Sequence, residues 1–237
     1  MISVCIATYN ASRYIREQID SVLIQLNLDD EIVVADDGSS DDTLVILNSI
    51  NDNRIKILTS HCNLGIVKNF ERALYAVKGE IIFLCDQDDI WLPNKVIECV
   101  RCLEASLLVV TDCTVVDSEL SCLYKSFFAL RNSKKGFVHN LYKNSYIGCC
   151  MAFRKGLLFY ALPIPSKVPM HDIWLGILAE LYGKVTFLPK PLLLYRRHAD
   201  NASPLKSRYG VFRKIHFRLM LVFFIFIRIT NIYFKRK

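Results

Sequence analysis

The chain has 237 residues, 52% of them hydrophobic and 22% charged, with a formal net charge of +7. That composition excludes a disordered chain, and the length suits one substantial core with or without an appendage. The positive charge is confined to the tail, since residues 206–237 hold nine Lys/Arg and no acid, which leaves 21 basic against 23 acidic residues in 1–205; with no basic groove interleaved with aromatics in that body, no nucleic-acid partner is expected.

Ile2–Ala7 reads as a first strand, with no charged and apolar secretory signal ahead of it, so a cytoplasmic location is expected. In that compartment the nine cysteines are expected as reduced thiols, and the C-x-x-C of Cys99 and Cys102 lies in a helical pattern without a second pair at zinc-ribbon spacing. Thr8-Tyr9-Asn10 is a turn into a helix bearing Ile15, Ile19, Val22, Leu23 and Leu26. Glu31–Ala35 is the second strand, followed by an acidic turn, Asp36 to Asp42, with Ser40 as the N-cap of a helix carrying Leu44, Leu47 and Ile50. Arg54–Leu58 is the third strand, and Asn63-Leu64-Gly65 opens a helix with Ile66, Phe70, Ala73, Leu74 and Val77 on one face and Gly79 as its stop. Ile81–Cys85 is the fourth strand. This alternation of strand and helix predicts an α/β fold with a mainly parallel, doubly wound sheet and helices on both faces.

The fourth strand ends in Asp86-Gln87-Asp88-Asp89. In extended chain the side chains of residues i and i+2 point the same way, so Asp86 and Asp88 converge on one hard cation while Gln87 turns aside. An Asp-x-Asp tripeptide arises by chance about once in 250 positions at ordinary composition, so its weight comes from its place at the carboxyl end of a buried strand, where open α/β sheets bind ligands.

Pro93 starts a helix running to about Ser106, and Leu107–Thr111 is a strand ending in Asp112. Residues 117–145 read as polar loops with one short helix. Gly148–Phe153 is a strand, Lys155–Ala161 a short helix and Pro163 to Pro169 a stiff connector. Asp172 caps a helix, Ile173–Tyr182, that Gly183 stops; Val185–Leu188 and Pro191–Tyr195 are short strands, and residues 196–201 a polar loop. The domains are expected at 1–205, in two halves, 1–112 and 113–205, followed by a basic tail 206–237. In the tail Leu219–Ile227 is an uninterrupted apolar run, shorter than the ~20 residues that cross a bilayer. On a helix Lys214, Arg218, Arg228 and Lys235 share one sector, which predicts an amphipathic helix lying in a membrane interface, or else a helix packed on the core with its cations exposed.

Taken together, Ser3–Asn10 (SVCIATYN), Glu31–Thr43 (EIVVADDGSSDDT), Asn63-Leu64-Gly65, Asp86-Gln87-Asp88-Asp89 and His171-Asp172-Ile173-Trp174 resemble the family 2 glycosyltransferases, which have the glycosyltransferase A fold. The resemblance covers residues 1–201 and implies a nucleotide-binding half, 1–112, and an acceptor-binding half, 113–205. His171 through Lys184 and Leu192–Asn201 further resemble the rhamnosyltransferase-like members, which build bacterial surface polysaccharides. The Gln-x-x-Arg-Trp motif of the processive synthases is missing, so the resemblance implies transfer of a single sugar. It implies an inverting glycosyltransferase that takes a nucleotide-diphosphate sugar, UDP- or dTDP-linked, and gives the sugar to a saccharide or lipid-linked acceptor at the inner face of the cell membrane. It also implies Mg²⁺ or Mn²⁺, held by Asp86 and Asp88 with His198 as a further ligand. Thr8, Tyr9, Asn10, Asp36, Asp37, Asn63, Gly65, Asp86 and Gln87 would bind the nucleotide sugar. Asp172 would be the catalytic base, although His171 stands where many members have an acid. Each residue also has a plainer reading: Asp36 and Asp37 as turn acceptors, Asp172 as an N-cap, His198 as a solvated loop residue beside Arg196 and Arg197, which are themselves candidates for phosphate. Two other functions fit parts of the pattern. A nucleotidyltransferase shares the sheet and the metal-holding acids, but Thr8–Arg13 is a poor substitute for its Gly-rich phosphate loop. A catalytically inactive membrane-associated binding subunit is opposed by the intact Asp86, Asp88 and Asp172.

Overall fold

In a computed structural model, residues 1–199, 201 and 210–235 are described. Asp200 and the expected boundary between residues 205 and 206 lie outside the described residues, as does the side chain of Lys235.

The first half alternates β1 (Ile2–Thr8), α1 (Ile15–Leu23), β2 (Glu31–Asp36), α2 (Thr43–Ser49), β3 (Ile55–Leu58), α3 (Ile66–Ala76) and β4 (Ile81–Cys85). The strand order β3-β2-β1-β4 is parallel throughout, with Ile6 opposite Val34 on one side and Cys85 on the other. β1 is thus paired on both edges and covered on both faces, which is why all of its residues except Ala7, and all of those of β2, are buried. The entrance to this sheet is tied by buried carboxylates. Asp30 accepts from the Ile2 amide at 2.7 Å, and Glu31 accepts from the Ser3 hydroxyl and the Lys78 amide, both at 2.6 Å. Gly79 passes so close that a Cβ there would stand 2.7 Å from the backbone of Ile2 and Ser3. Ser40 does not cap α2; its amide donates to Asn10, and Asp41 instead accepts from the Thr43 amide at the helix start.

The second half adds β5 (Ile90–Trp91), α4 (Lys95–Leu103), β6 (Leu108–Val116), β7 (Cys122–Tyr124), α5 (Phe127–Arg131), α6 (Phe137–Tyr142), β8 (Met151–Arg154), α7 (Leu157–Ala161), α8 (His171–Tyr182), β9 (Val185–Arg196) and α9 (Val211–Lys235). The sheet continues β4-β8-β6-β9-β5, with β7 against β6. β8 runs antiparallel to both β4 and β6, while β6 and β9 are parallel. The α/β expectation holds, and the sheet is mixed: β1 to β4 and the β6–β9 pair are parallel, while β8 and the β5–β9 pair are antiparallel.

Several boundaries differ from the sequence reading. β6 does not stop at Asp112 but runs on to Val116, because the Asp112 carboxylate is spent within the protein on the Phe128 amide and the Ser126 hydroxyl. The expected pair of late strands is one strand, β9, whose register shifts against β6 absorb the prolines. Residues 148–150 form a 3-10 turn ahead of β8, and α4 ends at Leu103. The helix after the connector begins at His171, so Asp172 sits in its first turn and is not its cap. All nine cysteines are free thiols.

α9 runs unbroken for 25 residues, about 37 Å at 1.5 Å per residue. Phe212–Phe234 is long and apolar enough, by length and composition, to cross a membrane, so the brevity of the Leu219–Ile227 run is no bar. Its cation sector also faces differently from expectation. Arg218 donates to the Leu141 and Tyr142 carbonyls, and Arg228 to those of Leu162 and Pro163, while Leu221 and Ile225 are buried against the body. The two arginines point inward because the carbonyls ending α6 and α7 lack helical partners. The face left outside is apolar, with Phe212, Leu219, Phe226 and Tyr233 all more than half exposed.

Candidate active site

Chain progression reverses between β1 and β4, since β2 and β3 lie to one side of β1 and β4 to the other. Such a reversal opens a crevice at the carboxyl ends of the strands. A cavity of about 490 Å³ occupies it, lined by Thr8 and Tyr9 after β1, Asp37 after β2, Asn63 and Gly65 ahead of α3, and Asp86, Gln87 and Asp88 after β4. Gly148, His171 and Asp172 close the other wall. Of the residues expected at the site, Asn10, Asp36 and His198 are not among its lining.

On the β1 side, the two acids expected to bind nucleotide part company. Asp36 is fully buried and accepts from the Thr8 hydroxyl at 3.0 Å, the Gly38 amide at 3.2 Å and the Ser39 amide at 2.9 Å. It shapes the turn. Asp37 lines the cavity and accepts from the Leu64 and Gly65 amides at 2.8 and 2.9 Å, which ties the turn to the start of α3. Gly65 has φ +84°, a left-handed conformation natural to glycine. Asn10 links the Thr8 turn to Ser40, and Gln87 clamps Tyr9, accepting from its amide at 2.7 Å and donating to its carbonyl at 3.3 Å.

At the end of β4, Asp88 Oδ2 lies 2.8 Å from His198 Nε2 and 3.0 Å from Asn201 Nδ2. The arrangement is held from behind by Arg196, which donates its amide to Asp89 Oδ1 at 3.0 Å and its Nε to the Asp88 carbonyl at 2.8 Å. β9 therefore delivers His198 to Asp88. Asp86 is pushed up to about 7, chiefly by burial and then by the charges of Asp88 and Asp172. Asp89 is pushed up as well, by burial first and by Asp88 and Asp86 next, and its Oδ2 has no hydrogen-bond partner. Carboxylates that raise one another in this way make a natural seat for a cation. Asp88 and the His198 imidazole meet at the end of β4, and Asp86 lines the same cavity as Asp88; these are oxygen and nitrogen groups of the kinds that Mg²⁺ and Mn²⁺ take as ligands. Asp86, Asp89 and Cys149 bring their ligand atoms within 4.8 Å of one another, and burial pushes the Cys149 thiol up.

Asp172 is 8% exposed, and burial pushes it up to about 7 against the pull of the Ile173 amide, which donates to Oδ1. It rides on a rigid platform, since Trp174, Leu175, Ile177 and Leu178 behind it are fully buried and Trp174 Nε1 donates to the Ala161 carbonyl at 2.9 Å. The site thus pairs a cluster of acids suited to a cation with a separate carboxyl group poised near neutrality as a proton acceptor.

The sequence model described as Glycosyl transferase family 2 matches residues 3–159. The chain belongs to glycosyl transferase family 2. Among curated proteins, this family 2 chain is 29% identical over 191 residues to the UDP-Glc:alpha-D-GlcNAc-diphosphoundecaprenol beta-1,3-glucosyltransferase WfgD of Escherichia coli, covering 76% of this chain and 70% of that protein. It is likewise 29% identical over 214 residues to the dTDP-rhamnosyl transferase RfbG of Shigella flexneri, covering 82% and 72%. Among solved structures, S. aureus TarS 1–349 in complex with UDP-GlcNAc superposes with a TM-score of 0.72 at 20% identity, over 93% of this chain and 66% of that one. That likeness shows the fold, glycosyltransferase A type, and the chain spans a little under two thirds of the TarS structure.

The sequence reading gave no site role to several residues of this glycosyltransferase's site, among them Asn69, Lys95, Asn201 and His171. Asn69 of α3 lines the cavity and donates to the Ala35 carbonyl at 2.6 Å. Lys95 is fully buried and donates to the Cys149 carbonyl at 3.2 Å, steadying the 148–150 turn. Asn201 reaches Asp88, and His171 lines the cavity beside Asp172. For Lys95 a signal existed: it shares the four-residue stripe of Cys99 and Leu103, which marks a helix's inner face.

Proposed function

We propose that this glycosyltransferase transfers one sugar, with inversion, from a UDP- or dTDP-sugar to a hydroxyl of a saccharide or lipid-linked saccharide. The reaction is placed in bacterial surface polysaccharide synthesis on the cytoplasmic side of the membrane. The observation that carries the reading is the convergence of Asp86, Asp88 and Asp172 on one cavity at the switch point of the sheet. WfgD and RfbG, named for UDP-glucose and dTDP-rhamnosyl transfer, support the donor class and the pathway.

The nucleotide lies along Thr8, Tyr9 and Asp37, where a carboxylate facing the cavity accepts from the N3–H of uracil or thymine and disfavours cytosine. Gln87 holds the Tyr9 turn against β4, so the floor beneath the diphosphate does not shift. Asp86, Asp88 and His198 would hold Mg²⁺ or Mn²⁺, whose positive charge would offset the negative charge of the departing diphosphate. Asp172 takes the proton of the acceptor hydroxyl as its oxygen bonds to the anomeric carbon; the bond from that carbon to the diphosphate oxygen breaks on the opposite face, and the diphosphate leaves with the electron pair. Burial favours this step, because a carboxylate near pKa 7 is a stronger base than an exposed one. The outward apolar stripe of α9 rests on the membrane, which would keep the cavity close to a lipid-linked acceptor.

The test is product formation from a panel of UDP- and dTDP-sugars with bacterial lipid-linked acceptors, with anomeric configuration read by NMR and Asp88→Ala alongside. Wild type is expected to give an inverted product that chelation of divalent ions abolishes, and Asp88→Ala to lose at least a hundredfold in rate. A retained configuration, or equal turnover by wild type and Asp88→Ala, sinks the mechanism.

A further inference from the structure

His171 is a polar side chain on the cavity wall that the mechanism leaves unused. Its ring is 2% exposed and stacked on Phe70 of α3, with 4.0 Å between centroids and 28° between planes. Neither Nδ1 nor Nε2 has a hydrogen-bond partner. Burial lowers the ring to about 3, so at neutral pH it is the uncharged imidazole, with one nitrogen bearing hydrogen and the other bare. Native proteins satisfy nearly all buried polar atoms, and two orphans on one ring at the edge of a cavity mark a place where a ligand completes the set. Gly148 gives the approach. A Cβ on Gly148 would come within 2.9 Å of His171 Nε2, so only glycine leaves open the space this nitrogen faces.

Resting on the sugar-transfer reading above, we propose that His171 binds sugar directly, its Nε2 edge forming a hydrogen bond to an uncharged hydroxyl seated over Gly148. The hydroxyl belongs either to the glycosyl group of the donor or to the acceptor saccharide. A hydroxyl suits the site because it both donates and accepts, matching either tautomer. A phosphate or carboxylate would meet a neutral ring beside the carboxyl groups of Asp172 and Asp86. Stacking on Phe70 fixes the plane of the ring, so its nitrogens select by direction, and a sugar lacking that hydroxyl leaves a buried polar atom unpaired.

His171→Phe separates this role from packing, since it keeps a ring against Phe70 and removes both nitrogens. Its melting temperature is expected to equal or exceed that of wild type, because unsatisfied polar atoms leave the core. KM is expected to rise at least tenfold for one substrate: for the donor, with donor hydrolysis in the absence of acceptor affected equally, if the hydroxyl is the donor's, or for the acceptor alone if it is the acceptor's. His171→Asn, which keeps a donor and an acceptor, should recover part of the loss. A deoxy analogue lacking the hydroxyl should react more poorly than its parent with wild type, and equally with its parent in His171→Phe. Unchanged KM for both substrates in His171→Phe overturns the proposal, as does a fall in melting temperature accompanied only by lower kcat, which marks a packing residue. Failure of the transferase reading looks different: wild type itself would turn over no nucleotide sugar.

Discussion

At Asp172 one physical cause sets both activity and stability. Burial beside the hydrophobic start of α8 holds its carboxyl group at about 7, above the ~3.9 of an unfolded chain. The carboxylate is the form that accepts a proton, so transfer should rise with pH through about 7 and level off above it. The stability effect has the opposite slope. Between the two values the folded state binds the proton that the unfolded state has lost, so the contribution is full below about 4 and disappears as pH rises through about 7. Asp172→Asn removes both effects. Its kcat should fall by ~10²–10⁴-fold, the usual worth of a positioned base. Its melting temperature at pH 8 should exceed that of wild type, with the difference shrinking toward pH 4. A variant that keeps wild-type kcat would show that the proton goes elsewhere; equal melting temperatures at pH 8 would show that Asp172 is solvated. The identity of this residue was legible through the His171-Asp172-Ile173-Trp174 resemblance. Its environment was not, because burial depends on how α8 packs within the fold, and the motif carries only residue types. Asp36 makes the same point: beside Asp37 in sequence, it faces the opposite way.

Among the elements, α8 carries His171 and Asp172 on the cavity wall and is itself set by a close contact. A Cβ on Gly176 would fall 2.5 Å from the ring carbons of Tyr146, whose hydroxyl donates to Glu180 one turn further along at 3.1 Å. Tyr146 lines the cavity, so its ring is both a packing partner of α8 and part of the wall. Gly176→Ala must push that ring aside and should cost roughly 1–3 kcal/mol, as overpacking does. Thermal unfolding should show the loss, and acceptor KM should rise more than donor KM; a variant with unchanged melting temperature would mean that Tyr146 yields freely. Such contacts explain which elements could be read in advance. α1, α3 and α4 carry strong helical periodicity and β1, β2 and β4 unbroken apolar runs, so each was foreseeable from its own residues. Residues 117–150 were opaque because their short elements are fixed by distant partners: the Asp112 carboxylate seats the start of α5, and Glu180 accepts from the Gly136 amide at the start of α6. β9 was read as two strands because its prolines look like breaks until β6 supplies a partner that tolerates a shifted register.

For the whole molecule, the decisive question is what the outer face of α9 meets. Arg218 and Arg228 fasten the helix to the body through four carbonyls, Arg228 also lies 5.5 Å over the Trp174 ring just behind Asp172, and Leu221 and Ile225 join the core. The helix is therefore part of the fold that supports the site, and deleting it would confuse lost anchorage with lost stability. Its opposite face exposes Phe212, Ile215, Leu219, Val222, Phe226, Ile229 and Tyr233, a continuous stripe at helical spacing. A stripe this long, on a tail whose sequence carries nine basic residues and no acid, suits an anionic membrane surface, with its apolar side chains entering the acyl boundary. Substituting Leu219 and Phe226 with Asp tests this without touching the buried face. Binding to vesicles containing anionic lipid should fall at least tenfold, with melting temperature and turnover of a soluble acceptor unchanged. Arg228→Ala should do the reverse, lowering the melting temperature while leaving vesicle binding nearly intact. If Leu219→Asp with Phe226→Asp partitions to vesicles as wild type does, the stripe serves another purpose; if it instead turns a dimer into a monomer, that purpose is a second copy of the chain.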